Sequence, residues 1–162
     1  MSEKIKILMA PFCKPRHDGK MNAKNYPYWN EVLLEIAPVY DITQIVYGSE
    51  QWLKGVGYAD NLSLNHTEHL MRETNMFLCI DTYLQHMGHF LGKPGVVIFG
   101  PSDPALFGYK DNINLYVDGK YFRPHQYQTW NEWDFNKDAF VLPDVVINAV
   151  HEMASDCSKN KI

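Results

Sequence analysis

The sequence predicts an α/β domain, an open and mostly parallel sheet with helices on both faces. Three observations carry that expectation. Short apolar runs alternate along the chain with segments of helical periodicity. Several of the runs are apolar almost without interruption, as in strands covered on both sides. No repeat, low-complexity stretch or Pro/Gly/Ser-rich linker divides the 162 residues, which is a length suited to one domain. Strands alternating with helices imply right-handed parallel crossovers. One domain over residues 1–155 is expected, with a frayed charged tail over 156–162.

The elements follow in order. Ile5 to Ala10 is a compact strand closed by Pro11. Pro27 suits the first turn of a helix, and Trp29, Val32, Leu33 and Ile36 share a face before Pro38 stops it. Asp41 to Tyr47 reads as a second strand ended by Gly48, with a short helix expected over Glu50 to Lys54. Asn65 is placed to cap the next helix, with Glu68 reaching back as in a capping box, and Leu70, Met71 and Thr74 continue it. Asn75 to Ile80 is a buried strand. Asp81 and Thr82 open a further helix whose Leu84, Met87, Gly88 and Leu91 share a face, and Gly92-Lys93-Pro94 ends it. Gly95 to Phe99 is the next buried strand, and Ile113 to Val117 can form one more. Pro143 and Asp144 begin a last helix through Val145, Val146, Ala149 and Val150.

Composition removes several functional classes. With 15 basic and 19 acidic residues the net charge is −4, so no global field draws the chain to nucleic acid. No apolar run is long enough for a membrane span, and the opening residues lack the pattern of a secretory signal. The three cysteines, Cys13, Cys79 and Cys157, are far apart and odd in number. They fit a reducing, cytoplasmic setting and neither a disulfide framework nor a zinc knuckle. His66/His69 and His86/His89 recur at i, i+3 without a carboxylate or cysteine at ligand spacing, so no metal and no cofactor is expected.

In open α/β sheets ligands sit beyond the carboxyl ends of the strands. The polar positions of this chain collect at those ends. Lys14, Arg16, His17, Lys20 and Lys24 follow the first strand, Ser49 and Glu50 the second, Asp81, Thr82 and His86 the third, and Ser102 and Asp103 the fourth.

The stretch Asp81-Thr82-Tyr83-Leu84-Gln85-His86-Met87-Gly88-His89-Phe90-Leu91-Gly92-Lys93-Pro94, followed by Val96-Val97-Ile98-Phe99-Gly100-Pro101-Ser102-Asp103-Pro104, carries more information than any other. It resembles the signature of the heptosyltransferase-type glycosyltransferases, glycosyltransferase family 9. In that family D-T-G-x-x-H-x-A-A-x-x-G-x-P leads into a strand and F-G-P-T-x-P. Lys24-Asn25-Tyr26-Pro27 is similar to the family's K-x-W-P, and Leu142 to Val150 resembles its closing helix. The resemblance implies a Rossmann-like domain like one lobe of the two-lobed GT-B fold. It covers the C-terminal, donor-binding lobe and leaves out the acceptor lobe with its acidic catalytic base.

The resemblance also implies roles. Lys24 contacts the donor's phosphates, Glu50 lies near the ribose, Asp81 and Thr82 face the diphosphate with the amides that open the next helix, and His86 reaches the same region. Helix N-termini do attract anions. Tyr83 stands where the family has glycine, and Gly88 and His89 stand where it has alanines. Tyrosine at 83 either fills the place where backbone approaches phosphate or lines a new surface.

Each residue also has a plainer reading. Lys14, Arg16, Lys20 and Lys24 form either a phosphate site or a solvated loop. Asp81 is either a ligand group or a helix N-cap, and Glu50 can be an exposed first-turn residue. Cys13 beside Lys14 is either an activated thiol or a small buried residue, of which the second fits better. The segment from Tyr116 to Phe135 holds Tyr121, Phe122, Tyr127, Trp130 and Trp133 among Arg123, His125, Gln126, Gln128 and Asn131. It reads as satellite core, as a self-association surface, or as a lid.

The expected function is binding of a nucleotide, nucleotide-sugar or related phosphorylated ligand through Lys14, Arg16, Lys24, Glu50, Asp81, Thr82, Tyr83 and His86. Sequestration of a nucleotide signal is one form of it. No catalytic pair is evident, which favours a binding module over an enzyme. The alternatives are a glycosyltransferase acting as a homo-oligomer or with a separate acceptor-lobe chain, and an interaction domain without a ligand. A lobe with an uncovered face is expected to self-associate.

Overall fold

The computed structural model describes residues 3–127 and 133–159. Trp130, Gln128 and Asn131 of the aromatic segment lie outside the described residues. Six strands form one sheet in the order β3-β2-β1-β4-β5-β6. They are β1 (Lys6–Ala10), β2 (Asp41–Val46), β3 (Gly57–Asp60), β4 (Met76–Ile80), β5 (Gly95–Ile98) and β6 (Ile113–Leu115). Every neighbouring pair is parallel, with Leu8 opposite Thr43 on one side and Phe77 on the other. This is the doubly wound Rossmann-type order.

Alternation along the strands supplies two cores. Ile7, Met9, Leu78, Ile80, Val96 and Ile98 point to the face covered by α1 (Trp29–Ile36) and α5 (Pro143–Lys159). Leu8, Phe77, Cys79 and Val97 point to the opposite face, under α2 (Leu64–Glu73) and α3 (Tyr83–Phe90). Burial on both sides is why β4 and β5 carry no polar residue. The buried Phe77 ring fits because α3 and β5 each present a glycine to it: a Cβ on Gly88 or Gly95 would overlap the ring. Gly88 is thus a packing requirement of this core. A short helix, α4 (Pro104–Phe107), is capped by Asp103.

The structure corrects four local expectations. β3 is a strand the sequence pattern does not announce. Residues 50–54 form no helix, because Glu50 turns back to accept from the Tyr47 amide at 3.0 Å and Gln44 accepts from the Leu53 amide at 2.9 Å. Ser63, not Asn65, caps α2, accepting from the His66 amide, while Glu68 pairs with Arg72 at 2.7 Å. The last helix does not fray after Ser155. It continues through Lys159, with Ser158 donating to the Ala154 carbonyl and Lys159 paired with Asp156.

Candidate functional site

The strand order reverses between β1 and β4. From β1 the chain crosses under α1 to β2, and from β4 it crosses over α3 to β5, on the other face. The two connections therefore part at the carboxyl ends of β1 and β4 and leave a crevice there. Into it come the β1–α1 loop from one side and Asp81, directly after β4, from the other.

The loop is held in place by its own residues. Asn25 accepts from the Cys13 amide at 2.8 Å, and Trp29 donates its indole N–H to the Pro11 carbonyl at 3.0 Å. Lys24 then reaches across the crevice, its Nζ lying 2.8 Å from Asp81 Oδ2. The side chains are 17% and 6% exposed, so this is a largely desolvated pair. Ser102 Oγ donates to the same carboxylate oxygen at 2.6 Å, and Gln85 Nε2 donates to Oδ1 at 2.6 Å. A buried carboxylate needs such donors to be tolerable. Thr82, not Asp81, is the N-cap of α3, accepting from the Leu84 amide at 3.4 Å.

A cleft of about 510 Å³ opens beside this pair. Of the sequence-predicted residues, Lys14, Lys24, Glu50, Asp81, Thr82 and Tyr83 all line it. Phe12, Cys13, Tyr47, Leu62 and Leu64 complete the wall, and none of these five was singled out as a binding residue from the sequence. A further hollow of about 420 Å³ shares Phe12, Cys13, Lys14, Tyr47 and Glu50 with it and runs on to Gln51.

Tyr83 is partly buried. Its hydroxyl lies 2.9 Å from that of Tyr47, which is 3.5 Å from Thr67 Oγ1, and the two rings meet edge to face. Burial and the Tyr47 hydroxyl push the Tyr83 phenol well above its ordinary value, so it is a neutral hydrogen-bonding group. Burial also raises the Glu50 carboxyl, a rise that the Tyr47 amide opposes. Burial pushes the Cys13 thiol up to about 12 despite nearby Lys24, so Cys13 is not an activated nucleophile.

Two predicted residues are not brought to the cleft. Arg16 is buried and committed elsewhere, donating to Asp18 Oδ2 at 2.8 Å, Asp134 Oδ1 at 3.1 Å and the Trp133 carbonyl at 2.9 Å. Its charge is spent tying the β1–α1 loop to residues 133–134. His86 turns to Tyr109, with Nδ1 2.8 Å from the phenol oxygen, and His89 stacks on the same ring at 3.9 Å. Among the described residues no group of three or more His, Cys, Asp or Glu side chains could hold a metal ion. No described helix is long and apolar enough to cross a membrane.

The aromatic segment divides. Tyr121 and Phe135 pack against the core, Phe135 stacking on Phe140 at 6.0 Å, whereas Tyr116 and Tyr127 are exposed.

Fold and crevice together define a Rossmann-type α/β lobe of the kind found in GT-B glycosyltransferases. Among solved structures it is similar to Escherichia coli heptosyltransferase WaaC with ADP, with 17% identity, a TM-score of 0.64 and coverage of 93% of this chain and 44% of that one. A glycosyltransferase family 9 protein from Veillonella parvula gives 18% identity, a TM-score of 0.69 and coverage of 94% and 46%. The dodecameric iron-containing heptosyltransferase TibC, solved with ADP-D-β-D-heptose, gives 14%, 0.63, 100% and 47%. The chain spans less than half the length of each, the extent of one lobe. No family model and no curated protein matches the sequence.

Proposed function

We propose that the crevice between β1 and β4 binds a nucleotide or nucleotide-sugar ligand. The observation that carries the reading is the meeting of Lys24, Asp81 and the N-terminus of α3 at the point where the sheet reverses its winding. Such points accept phosphorylated ligands in open α/β sheets because amides and a partial positive charge face the crevice. The phosphates lie against Lys24, Lys14 and the first amides of α3. The nucleoside lies along Phe12, Tyr47 and Tyr83, with Glu50 accepting from ribose hydroxyls. The presence of ADP and ADP-heptose in the similar heptosyltransferases supports the same ligand class.

Binding without turnover, as in sequestration, is the form we favour. Cys13 is held protonated, and Asp81 already accepts from three side chains, which leaves it poorly suited to act as a general base. Thermal unfolding against ADP, UDP, GDP, their sugars, ADP-ribose and cyclic dinucleotides tests the reading. A ligand at a hundred times its dissociation constant adds about 2.7 kcal/mol. A shift that is lost in Lys14→Ala supports the site, and a flat panel overturns it. Release of free sugar from the stabilising compound would instead favour the transferase.

A further inference from the structure

The sheet ends at β3, and that edge is open. Asn61 donates its amide to the Val46 carbonyl at 2.9 Å. In a parallel ladder alternate residues bond to one neighbour, so residues 57, 59 and 61 turn their backbone groups to β2. The N–H and C=O groups of Tyr58 and Asp60 therefore face outward, where they meet no backbone partner among the described residues. Exposed edges are usually guarded by proline, lysine or a bulge. Gly57–Asp60 has neither residue, is largely exposed, and pairs with β2 in an unbroken register.

An apolar surface borders this edge. Tyr58 lies opposite Gln44, two residues from core Ile42, and so points to the α1 face. Its hydroxyl donates to the Leu53 carbonyl, which fixes the ring, and Trp52 packs on it with centroids 4.8 Å apart. Tyr58 is 40% exposed and Trp52 55%. Trp52 and the exposed Leu34 also line a hollow of about 670 Å³ between α1 and the chain that enters β3. On the other face of β3 stand only Gly57 and Ala59, too small to obstruct an approaching strand.

We propose that β3 pairs with β3 of a second copy of this chain, antiparallel, across a two-fold axis at Tyr58. Only outward-facing residues can exchange backbone bonds across the axis. With Tyr58 opposite Tyr58, each donates its N–H to the other's carbonyl, and the two rings form a cross-strand pair flanked by both Trp52 side chains. Asp60 then falls opposite residue 56 of the second copy, next to the turn that carries exposed Lys54, a charge of opposite sign. The two Asp60 positions stand about 13 Å apart along the strands, so no like charges face each other. A second copy thus completes both open edges and covers both apolar borders with one isologous contact. The inference goes beyond the nucleotide reading and does not need the crevice to be occupied.

Sedimentation velocity on the full chain, from low micromolar to near-millimolar concentration and without nucleotide, tests it together with amide hydrogen exchange by NMR. A concentration-dependent dimer is expected, with exchange at the Tyr58 and Asp60 amides slowing as it forms. Tyr58→Lys and Tyr58→Glu each set like charges across the axis and are expected to weaken the dimer several-fold. Mixed together, the two variants are expected to restore it as a one-to-one heterodimer. A monomer at every concentration overturns the proposal, even if an added extended peptide shifts the Tyr58 and Asp60 signals. A dimer whose Tyr58 and Asp60 amides exchange no more slowly, or one undiminished by either substitution, overturns it as well.

Discussion

Lys24 Nζ and Asp81 Oδ2 meet 2.8 Å apart across the gap between the first strand's loop and the end of the fourth strand. That contact joins residues 57 positions apart, and both side chains are mostly out of water. Removing one partner of such a pair leaves an uncompensated charge, typically costing about 3–5 kcal/mol. Asp81→Ala removes the carboxylate that Lys24, Gln85 and Ser102 share, and is expected to destabilise by about that amount in urea unfolding. Lys24→Met leaves Asp81 with two donors and is expected to cost less. Ser102→Ala removes one hydrogen bond to a buried carboxylate, for about 1–3 kcal/mol.

Gly88 and Gly95 face the same Phe77 ring from opposite elements. Gly88→Ala overpacks the core and is expected to lower stability by about 1–3 kcal/mol. Phe77→Leu, although destabilising alone, should offset part of that loss in the double variant. A double-mutant cycle by chemical denaturation measures the coupling. Simple additivity would contradict the packing account.

Glu50 gives a pH dependence with a definite sign. Burial raises its carboxyl in the folded state, so the folded protein binds that proton more tightly than the unfolded chain. Stability from this group is complete at acid pH and declines as pH rises from the ordinary carboxylate range through the raised folded value. Glu50→Gln keeps an acceptor for the Tyr47 amide and removes the titration. It is expected to stabilise at neutral pH and to flatten the profile between weakly acidic and neutral pH. Unfolding midpoints across that range check it.

Cys13 lines the cleft, yet burial pushes its thiol up to about 12. Very little thiolate exists at neutral pH, so alkylation by iodoacetamide is expected to be slow, rising as pH approaches that value. Peptide mass spectrometry of the alkylated protein resolves Cys13 from Cys79 and Cys157. Fast modification at neutral pH would contradict the assignment.

Much of this fold was legible because β4 and β5 are apolar throughout and α1 buries Trp29, Val32, Leu33 and Ile36 at helical spacing. β3 was not legible. Gly57-Tyr58-Ala59-Asp60 lies at the sheet edge, largely exposed, with neither alternation nor a run of β-branched residues. Ser63 and Asn65 are both good capping residues, and only backbone geometry separates them. The cleft wall was legible where position alone mattered, since Lys24, Asp81 and Thr82 follow strand ends. It was not legible where a distant partner decides the outcome. Arg16 is claimed by Asp134, and His86 by Tyr109. Tyr47 enters the cleft wall as the partner of Tyr83, and nothing local in the sequence announces that pairing.

The most direct measurement is an amide NMR titration with ADP and UDP-sugars, following the backbone N–H signals of residues 12–14 and 82–84. Saturable shifts concentrated at Thr82, Tyr83 and Leu84, with matching shifts at Cys13 and Lys14, are the expected result. Shifts confined to other parts of the chain, or none with any nucleotide, would contradict a nucleotide site at this crevice.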